Sequence, residues 1–319
     1  MRTLYPPVEP YSSEILNTGD EHKIYVERCG NQNGIPILFL HGGPGGGCKP
    51  DHRQFFDASK YNIILFDQRG AGRSTPYGEI RHNDTQRLIS DIEIIRKRYE
   101  IDQWCLFGGS WGATLALKYA LEHRKRVDAL ILRGTFLARK SDFDWFLGHT
   151  GAARILPQEW QEFLTSIGST SSEDILPYLY EQITSHKYEV QKKTALAWDK
   201  WSGAVVGYSF NKPLETMVSD ENMAISRAKI ELHYASNNYF LEENEILDNV
   251  NIIQQIKTII VHGGRDITCL PESSWSLQNK LSNSRLQILR TAGHLSSDAD
   301  TVDALVAATE EISNLPIYS

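Results

Sequence analysis

Short runs of apolar residues at consecutive positions recur along the chain. They fall at 35–40, 61–66, 104–108 and 127–133, and glycine or polar residues follow each of them. Apolar runs of this length without alternation are typical of strands that are buried on both faces of a sheet. The pattern therefore predicts a core of buried strands.

Helical periodicity separates these runs. Leu88, Ile92 and Ile95 recur at helical spacing between the second and third runs, after an Asn/Asp/Thr cluster that favours a helix start. A second helix is predicted over residues 111–123. Because strand and helix alternate from about residue 36 to 134, we expect a parallel sheet with right-handed crossovers.

The alternation stops after the fourth run and resumes near the end of the chain. Residues 136–251 are rich in tryptophan, tyrosine and charge, with helix-like stretches only. Strands over 257–261 and 284–290 and a closing helix from Ser297 then restore the pattern. A sheet that is interrupted by a helical segment and resumed is typical of a core domain with a lid.

The predicted fold is thus α/β, with a mostly parallel, doubly wound sheet. Residues 1–135 and 252–319 are expected to form the core domain, and 136–251 a helical cap inserted into it. Two strands that begin the core, at 13–18 and 23–29, are predicted from alternating character on either side of a Gly-Asp turn.

Composition and charge narrow the function classes. The chain has 319 residues, of which 41% are hydrophobic and 23% charged, as in soluble globular proteins. A net charge of -7 leaves no basic stripe for phosphates, so nucleic acid is not an expected partner. No apolar run approaches the ~20 residues that cross a bilayer. The N-terminus is rich in proline and polar residues, unlike a signal peptide.

The four cysteines, Cys29, Cys48, Cys105 and Cys269, are widely spaced and form no C-x-x-C pair. They are typical of free thiols in a reducing compartment, and we expect a cytoplasmic protein. No His/Cys/Asp/Glu cluster has metal-ligand spacing, so neither a metal nor another cofactor is expected. Composition does not indicate an oligomeric state.

The segment CLFGGSWGATLAL (105–117) places Ser110 between a buried strand and a helix. A G-x-S-x-G pattern in that context predicts a sharp turn that exposes a nucleophilic serine. The serine's backbone is then strained, so its neighbours must be small, and Gly108 and Gly112 meet that need. The alternative is a glycine-rich turn with an incidental serine.

A serine hydroxyl needs a base, and the base needs a carboxylate to orient it. His294 and Asp266 each follow a late predicted strand, in the chain order expected after such a serine. His262 is a rival base, although its place before a glycine pair favours a role in supporting the Asp266 loop. Asp298 and Asp300 are the fallback acids.

Two backbone N–H groups should hold the developing oxyanion. Trp111 follows the nucleophile and supplies one; the glycine-rich segment HGGPGGG (41–47) supplies the other, with Gly43 first and Gly42 second choice. A phosphate-binding loop is the alternative, but the segment has neither a G-K-[ST] ending nor a helix start after it. Two further residues are given structural roles: Cys269 as a small buried filler and Asp67 as a brace for loops.

Six segments together resemble one known family: HGGPGGG, FDQRGAGRS, GGSWG, LRGTF, GRDITC and AGH. In this order they resemble the prolyl aminopeptidases, or proline iminopeptidases, of the α/β-hydrolase fold. The resemblance implies a serine exopeptidase that removes N-terminal proline from small peptides with a free N-terminus, without a cofactor. It also implies Ser110 as the nucleophile, His294 as general base and then acid, and Asp266 as the group that orients it.

In that family the cap determines specificity, and two cap residues match here. The resemblance implies that Phe136 lines the proline pocket and that Glu231, in RAKIELHY, holds the substrate amine. The family's W-E-G motif is WSG here, so Ser202 stands in place of a second acid, and Asp199 is a nearby carboxylate that could assist. Residues 144–151, DWFLGHTG, also differ from the family's adjacent tyrosines.

These departures leave three hypotheses. The first is a prolyl aminopeptidase; the second is a hydrolase of the same scaffold acting on other amides or esters, because one amine-binding acid is replaced by Ser202. The third is a catalytically silent binding protein, which the intact triad residues disfavour.

Overall fold

An eight-stranded sheet forms the centre of the computed structural model, which describes residues 1–168, 175–208 and 220–318. The strand order is β1-β2-β4-β3-β5-β6-β7-β8. β1 and β2 pair antiparallel with each other, as do β2 and β4, and the strands from β4 to β8 across the sheet are parallel. The strands are β1 (Pro10–Asn17), β2 (Lys23–Gly30), β3 (Ile35–Leu40), β4 (Tyr61–Phe66), β5 (Trp104–Gly109), β6 (Val127–Arg133), β7 (Lys257–Gly263) and β8 (Ser284–Leu289).

Helices cover both faces of the sheet. One apolar core joins α1 and α2 to the sheet, and another joins α10 to the opposite face. Because both faces are covered, every residue of β4 and β5 is buried, which accounts for their uninterrupted apolar runs. The α-helices are α1 (Thr85–Arg98), α2 (Trp111–Glu122), α3 (Lys140–Phe146), α4 (Pro157–Ile167), α5 (Ile175–Ile183), α6 (Tyr188–Val206), α7 (Glu221–Ser236), α8 (Glu245–Asn249), α9 (Pro271–Gln278) and α10 (Ala299–Ser313).

The helices between β6 and β7 contain an apolar core of their own. Trp160, Phe163 and Trp201 pack against one another in it, with ring centroids 4.9 to 5.9 Å apart. These residues belong to a cluster distinct from the two that flank the sheet. The division into a core (1–135 and 252–319) and a cap (136–251) stays a prediction.

The predicted α/β class and mostly parallel sheet are confirmed. The buried apolar runs all become strands, and the segment with helical periodicity becomes α1. Parallel strands direct their carboxyl ends to one edge of the sheet, so the loops that follow β3, β5, β7 and β8 lie together. No helix in the described ranges is long and apolar enough to span a membrane.

Candidate active site

Ser110 lies in a strained turn between β5 and α2. Its backbone has φ 57° and ψ −125°, a conformation that side chains rarely adopt. A Cβ at Gly108 would collide with the carbonyl oxygen of Gly112, and one at Gly112 would collide with that of Leu40. Both predicted glycines are therefore required by the close approach of β3, β5 and α2. The strain is held in place partly by the Ser110 N–H, which donates to the Arg133 carbonyl at 2.9 Å.

His294 and Asp266 meet at the carboxyl edge of the sheet, on the loops after β8 and β7. Their Nδ1 and Oδ2 atoms are 2.7 Å apart, and both side chains are buried. The other carboxylate oxygen of Asp266 accepts the N–H groups of Thr268 and Cys269, at 2.9 and 3.0 Å. Burial would raise the pKa of Asp266, but the charge and hydrogen bond of His294 hold it below its ordinary value.

The alternatives to this pair have other hydrogen-bond partners, although His262 Nε2 lies 3.5 Å from Asp266 Oδ2. His262 bonds Ser274 Oγ and the Cys269 carbonyl at 2.6 and 2.8 Å, which fits the predicted role of supporting the Asp266 loop. Of the fallback acids, Asp298 accepts the Gly293 N–H at 3.2 Å and Asp300 accepts the Thr291 hydroxyl at 2.7 Å. Of the three acids considered, Asp266 is the one hydrogen-bonded to the His294 ring.

The glycine-rich loop after β3 lies directly beside the serine. A Cβ on Gly42 would come within 3.4 Å of Ser110 Cβ, and Gly43 lines the same cavity as Ser110. His41 fixes the loop, since its Nε2 accepts the N–H group of Gln68 at 3.0 Å and its Nδ1–H donates to the Gly42 carbonyl at 2.8 Å.

Gln68 in turn connects this loop to α2, because its side chain accepts the Trp111 indole N–H at 2.9 Å. Trp111 begins the helix, so its backbone N–H has no partner within the helix. Gly43 and Trp111 stay the predicted oxyanion donors. Asp67 braces the loop as expected, accepting Arg73 Nε and the Cys48 N–H, both at 2.7 Å.

Ser110 and His294 open onto one cavity of about 280 Å³. No hydrogen bond joins the two side chains among the described contacts; His294 Nε2 lies instead 3.4 Å from Arg133 Nη1. Catalytic hydrogen bonds are often long without substrate. Cys269 also faces this cavity, and burial raises the pKa of its thiol well above the ordinary value. The thiol therefore lines the same cavity as the nucleophile, and it is also a small buried residue as predicted.

Arg133 is a site residue that sequence reasoning missed. Its guanidinium donates to the His294 carbonyl at 2.7 Å and fills the space left by the missing side chain of Gly109. Burial lowers its pKa, and the Asp266 carboxylate partly offsets the effect. A charged residue at the carboxyl end of a buried apolar strand was the available signal.

The same cavity is lined by Glu231, which stays the predicted amine-binding carboxylate. Glu231 lines it from α7, and its Oε2 accepts the Trp198 indole N–H at 2.5 Å. Burial raises the pKa of Glu231, which the charge of Arg227 and the Trp198 bond oppose. Ser202 also lines the cavity. Asp199, by contrast, is ion-paired with Arg227, whose Nε lies 4.0 Å from Glu231 Oε1.

Aromatic side chains form the remaining wall. Phe136 lines the cavity as expected and packs edge-on against Tyr239, with ring centroids 4.9 Å apart. In residues 144–151, where the sequence departs from the family pattern, Phe146 faces the cavity. Trp145 instead donates its indole N–H to the Ile267 carbonyl at 2.9 Å. Phe143 also lines the cavity and was not predicted.

Comparison with known proteins places this arrangement in a family. Residues 35–300 match the family described as alpha/beta hydrolase fold. A probable proline iminopeptidase of Leptolyngbya boryana is 43% identical over 97% of this chain and 97% of its own length. A proline iminopeptidase of Xanthomonas citri is 40% identical, covering 97% and 99%. The chain belongs to the proline iminopeptidase family. It is therefore an enzyme, a hydrolase of the prolyl aminopeptidase type, as the motifs predicted.

Solved structures show the fold more distantly. An esterase from Exiguobacterium antarcticum matches with a TM-score of 0.64 at 21% identity, over 95% of this chain and all of its own. At that identity the likeness establishes the α/β-hydrolase fold and nothing about the substrate. Both the esterase and this family member thus share one scaffold.

One cluster of candidate metal ligands exists among the described residues of this iminopeptidase-family chain. Asp20, Glu21 and His82 have ligand atoms within 4.8 Å of one another. Asp20 and Glu21 are adjacent, but His82 is distant from them in the sequence, so spacing does not reveal the cluster. None lines the cavity, and Asp20 already bonds Arg69 at 2.7 Å while Glu21 bonds His82 at 2.8 Å.

Proposed function

We propose that this enzyme is a serine exopeptidase that releases N-terminal proline from small peptides. One observation carries the proposal: the strained Ser110, the Asp266-bonded His294 and the carboxylate of Glu231 all line one cavity. The names of the relatives support proline as the released residue. A cavity of about 280 Å³ is at the small end for ligand sites, which suits a single residue.

The reaction proceeds through an acyl-enzyme. His294 Nε2 takes the Ser110 hydroxyl proton as Oγ attacks the prolyl carbonyl carbon, while Asp266 keeps the ring oriented and stabilises its charge. The N–H groups of Gly43 and Trp111 stabilise the oxyanion. His294 then gives its proton to the leaving nitrogen, the C–N bond breaks, and a prolyl ester remains on Ser110. Water activated by His294 hydrolyses that ester and releases proline.

Side chains on the cap side of the cavity recognise the N-terminus of the substrate. Glu231 accepts a hydrogen bond from the substrate's secondary ammonium, an interaction about twice as strong as a neutral one. Phe136 and Tyr239 contact the pyrrolidine ring. Because a blocked N-terminus cannot pair with Glu231, the enzyme acts as an exopeptidase.

A second candidate function rests on one observation. The Arg227 guanidinium lies 4.0 Å from Glu231, and Ser202 brings no charge to the same wall. A weakened amine site favours uncharged amides or esters over proline amides. A panel of proline and other amino-acid amides beside acyl esters decides between the two functions through the ratio of their kcat/KM values.

Replacing the nucleophile tests the mechanism. Ser110→Ala should lower kcat on a chromogenic proline amide by about a million-fold, since loss of the nucleophile leaves only binding and the oxyanion site. Ser90→Ala, on the exposed face of α1, is the matched control and should retain full activity. A Ser110→Ala enzyme with unchanged thermal unfolding and a tenth of the wild-type rate would rule Ser110 out as the nucleophile.

A further inference from the structure

A second cavity, of about 520 Å³, adjoins the catalytic one. The two share Gly42 and Gly46 of the glycine-rich loop, and also Arg133, Arg227 and Ser296. The second cavity therefore begins where the proposed oxyanion site ends. Its size falls within the range of cavities that bury a drug-sized ligand, which is the size of a few amino-acid residues.

The charged groups lining this second cavity are mostly cations. Lys49, Arg133 and Arg227 line it, against one carboxylate, Asp220, which accepts the backbone N–H groups at the start of α7. His52 contributes no charge, because burial and the nearby His41 lower its pKa to about 3.

Two of these cations form no ion pair with a carboxylate of the described residues. Arg227 is paired with Asp199, but neither Lys49 nor Arg133 forms an ion pair with any carboxylate in 1–168, 175–208 or 220–318. Burial of the Arg133 guanidinium is costly and the nearby Asp266 carboxylate offsets only part of that cost, so an anionic ligand relieves the rest. The second cavity is therefore suited to an anion.

The catalytic geometry indicates which part of a substrate reaches this cavity. His294 Nε2 must come within about 3 Å of the leaving nitrogen to protonate it. Arg133 Nη1 lies 3.4 Å from His294 Nε2. In a dipeptide the carboxylate carbon is two bonds from the leaving nitrogen, or about 2.5 Å. A second residue adds roughly 3.5 Å. The free C-terminus of a short peptide thus comes close to Arg133.

We propose that the second cavity holds the leaving part of short peptides, and that Lys49 and Arg133 bind its C-terminal carboxylate. This inference rests on the proposed function and deepens it. The preferred substrates are prolyl dipeptides and tripeptides with a free C-terminus. Longer chains and C-terminal amides lack a carboxylate at the distance that these cations can reach.

The test compares L-prolylglycine with L-prolylglycinamide. Both release proline from the same leaving residue and differ in the terminal charge, so the ratio of their kcat/KM values isolates carboxylate binding. We expect the wild type to prefer the free acid by about tenfold or more. Because the attraction is electrostatic, the preference should shrink at high ionic strength.

Lys49 provides the decisive variant, because it is exposed and its replacement does not disturb packing. Lys49→Gln should lower the acid-to-amide ratio by about two- to fivefold, the range for an exposed charge pair. Lys49→Glu should lower it further. Lys125→Gln is the matched control, since this exposed lysine precedes β6 at the opposite edge of the sheet and should leave the ratio unchanged.

The outcomes separate the two proposals. Equal hydrolysis of acid and amide by the wild type, or an equal ratio in the Lys49→Gln and Lys125→Gln variants, overturns the carboxylate site and leaves the proposed function standing. Hydrolysis of neither substrate, with acyl esters still cleaved, overturns the proposed function and this inference with it.

Discussion

Restoring a carboxylate at position 202 should strengthen recognition of the substrate amine. Ser202 lies one helical turn after Trp198 on α6, and Trp198 donates its indole N–H to Glu231 at 2.5 Å. Residues four apart on a helix share a face, and both Ser202 and Glu231 line the cavity. Ser202→Glu therefore places a second acid on the wall where the ammonium is proposed to bind.

The size of the gain depends on Arg227. A charge-assisted hydrogen bond is worth about 1.5–3 kcal/mol, or roughly 10- to 150-fold in kcat/KM. Arg227 lies 4.0 Å from Glu231 and already pairs with Asp199, so it also attracts a new carboxylate from position 202. We therefore expect a gain of about tenfold on a proline amide, at the lower end of that range.

The assay measures kcat/KM for a proline amide and for an uncharged acyl ester. Ser202→Gln is the matched control, because it has the length of glutamate without the charge. A rise confined to Ser202→Glu and to the amine-bearing substrate supports the missing-acid explanation. An equal rise with Ser202→Gln, or no rise with Ser202→Glu, would refute it.

Two further predictions concern acidity and the turn that carries the serine. Because burial raises the pKa of Glu231, this carboxylate is protonated at a higher pH than an ordinary glutamate, so KM for a proline amide should rise as the pH falls. Glu231→Gln should remove the rise of KM at low pH and lower kcat/KM by about 10- to 150-fold. If KM still rises at low pH in the Glu231→Gln variant, Glu231 is not the group responsible. Gly112→Ala forces a Cβ into the Leu40 carbonyl oxygen and should lower the free energy of unfolding by at least about 1–3 kcal/mol. A thermal midpoint equal to that of the wild type would show that the turn can relax.

The sheet could be predicted because burial on both faces leaves a strong signal. The apolar runs at 35–40, 61–66 and 104–108 correspond to β3, β4 and β5 within a residue at each end. α9 was missed, since its sequence PESSWSLQ shows no apolar stripe and its Trp275 is 56% exposed. The order of strands across the sheet also lay beyond the local pattern, because it depends on contacts between distant segments.

The site shows the same division between local and distant information. Ser110, Asp266 and His294 each follow a strand with a glycine nearby, so sequence alone indicated that they meet, and the structure brings His294 and Asp266 together at 2.7 Å. The sequence around Arg227 did not indicate that this residue belongs to the site. A single arginine on a helix is ordinarily a solvated surface residue, and only the packing of α6 against α7 turns it toward the cavity.

The charges around the proposed amine site explain why Arg227 matters. Within the group formed by Glu231, Asp199 and Arg227, the two carboxylates and the one guanidinium leave a net charge of −1. A bound ammonium brings the group to neutrality, so one carboxylate suffices for electrostatic balance although Ser202 supplies none. Without Arg227, two buried carboxylates would repel each other in the empty enzyme, at a cost in stability. Arg227 thus stabilises the empty site and, by lying 4.0 Å from Glu231, competes with the substrate for it.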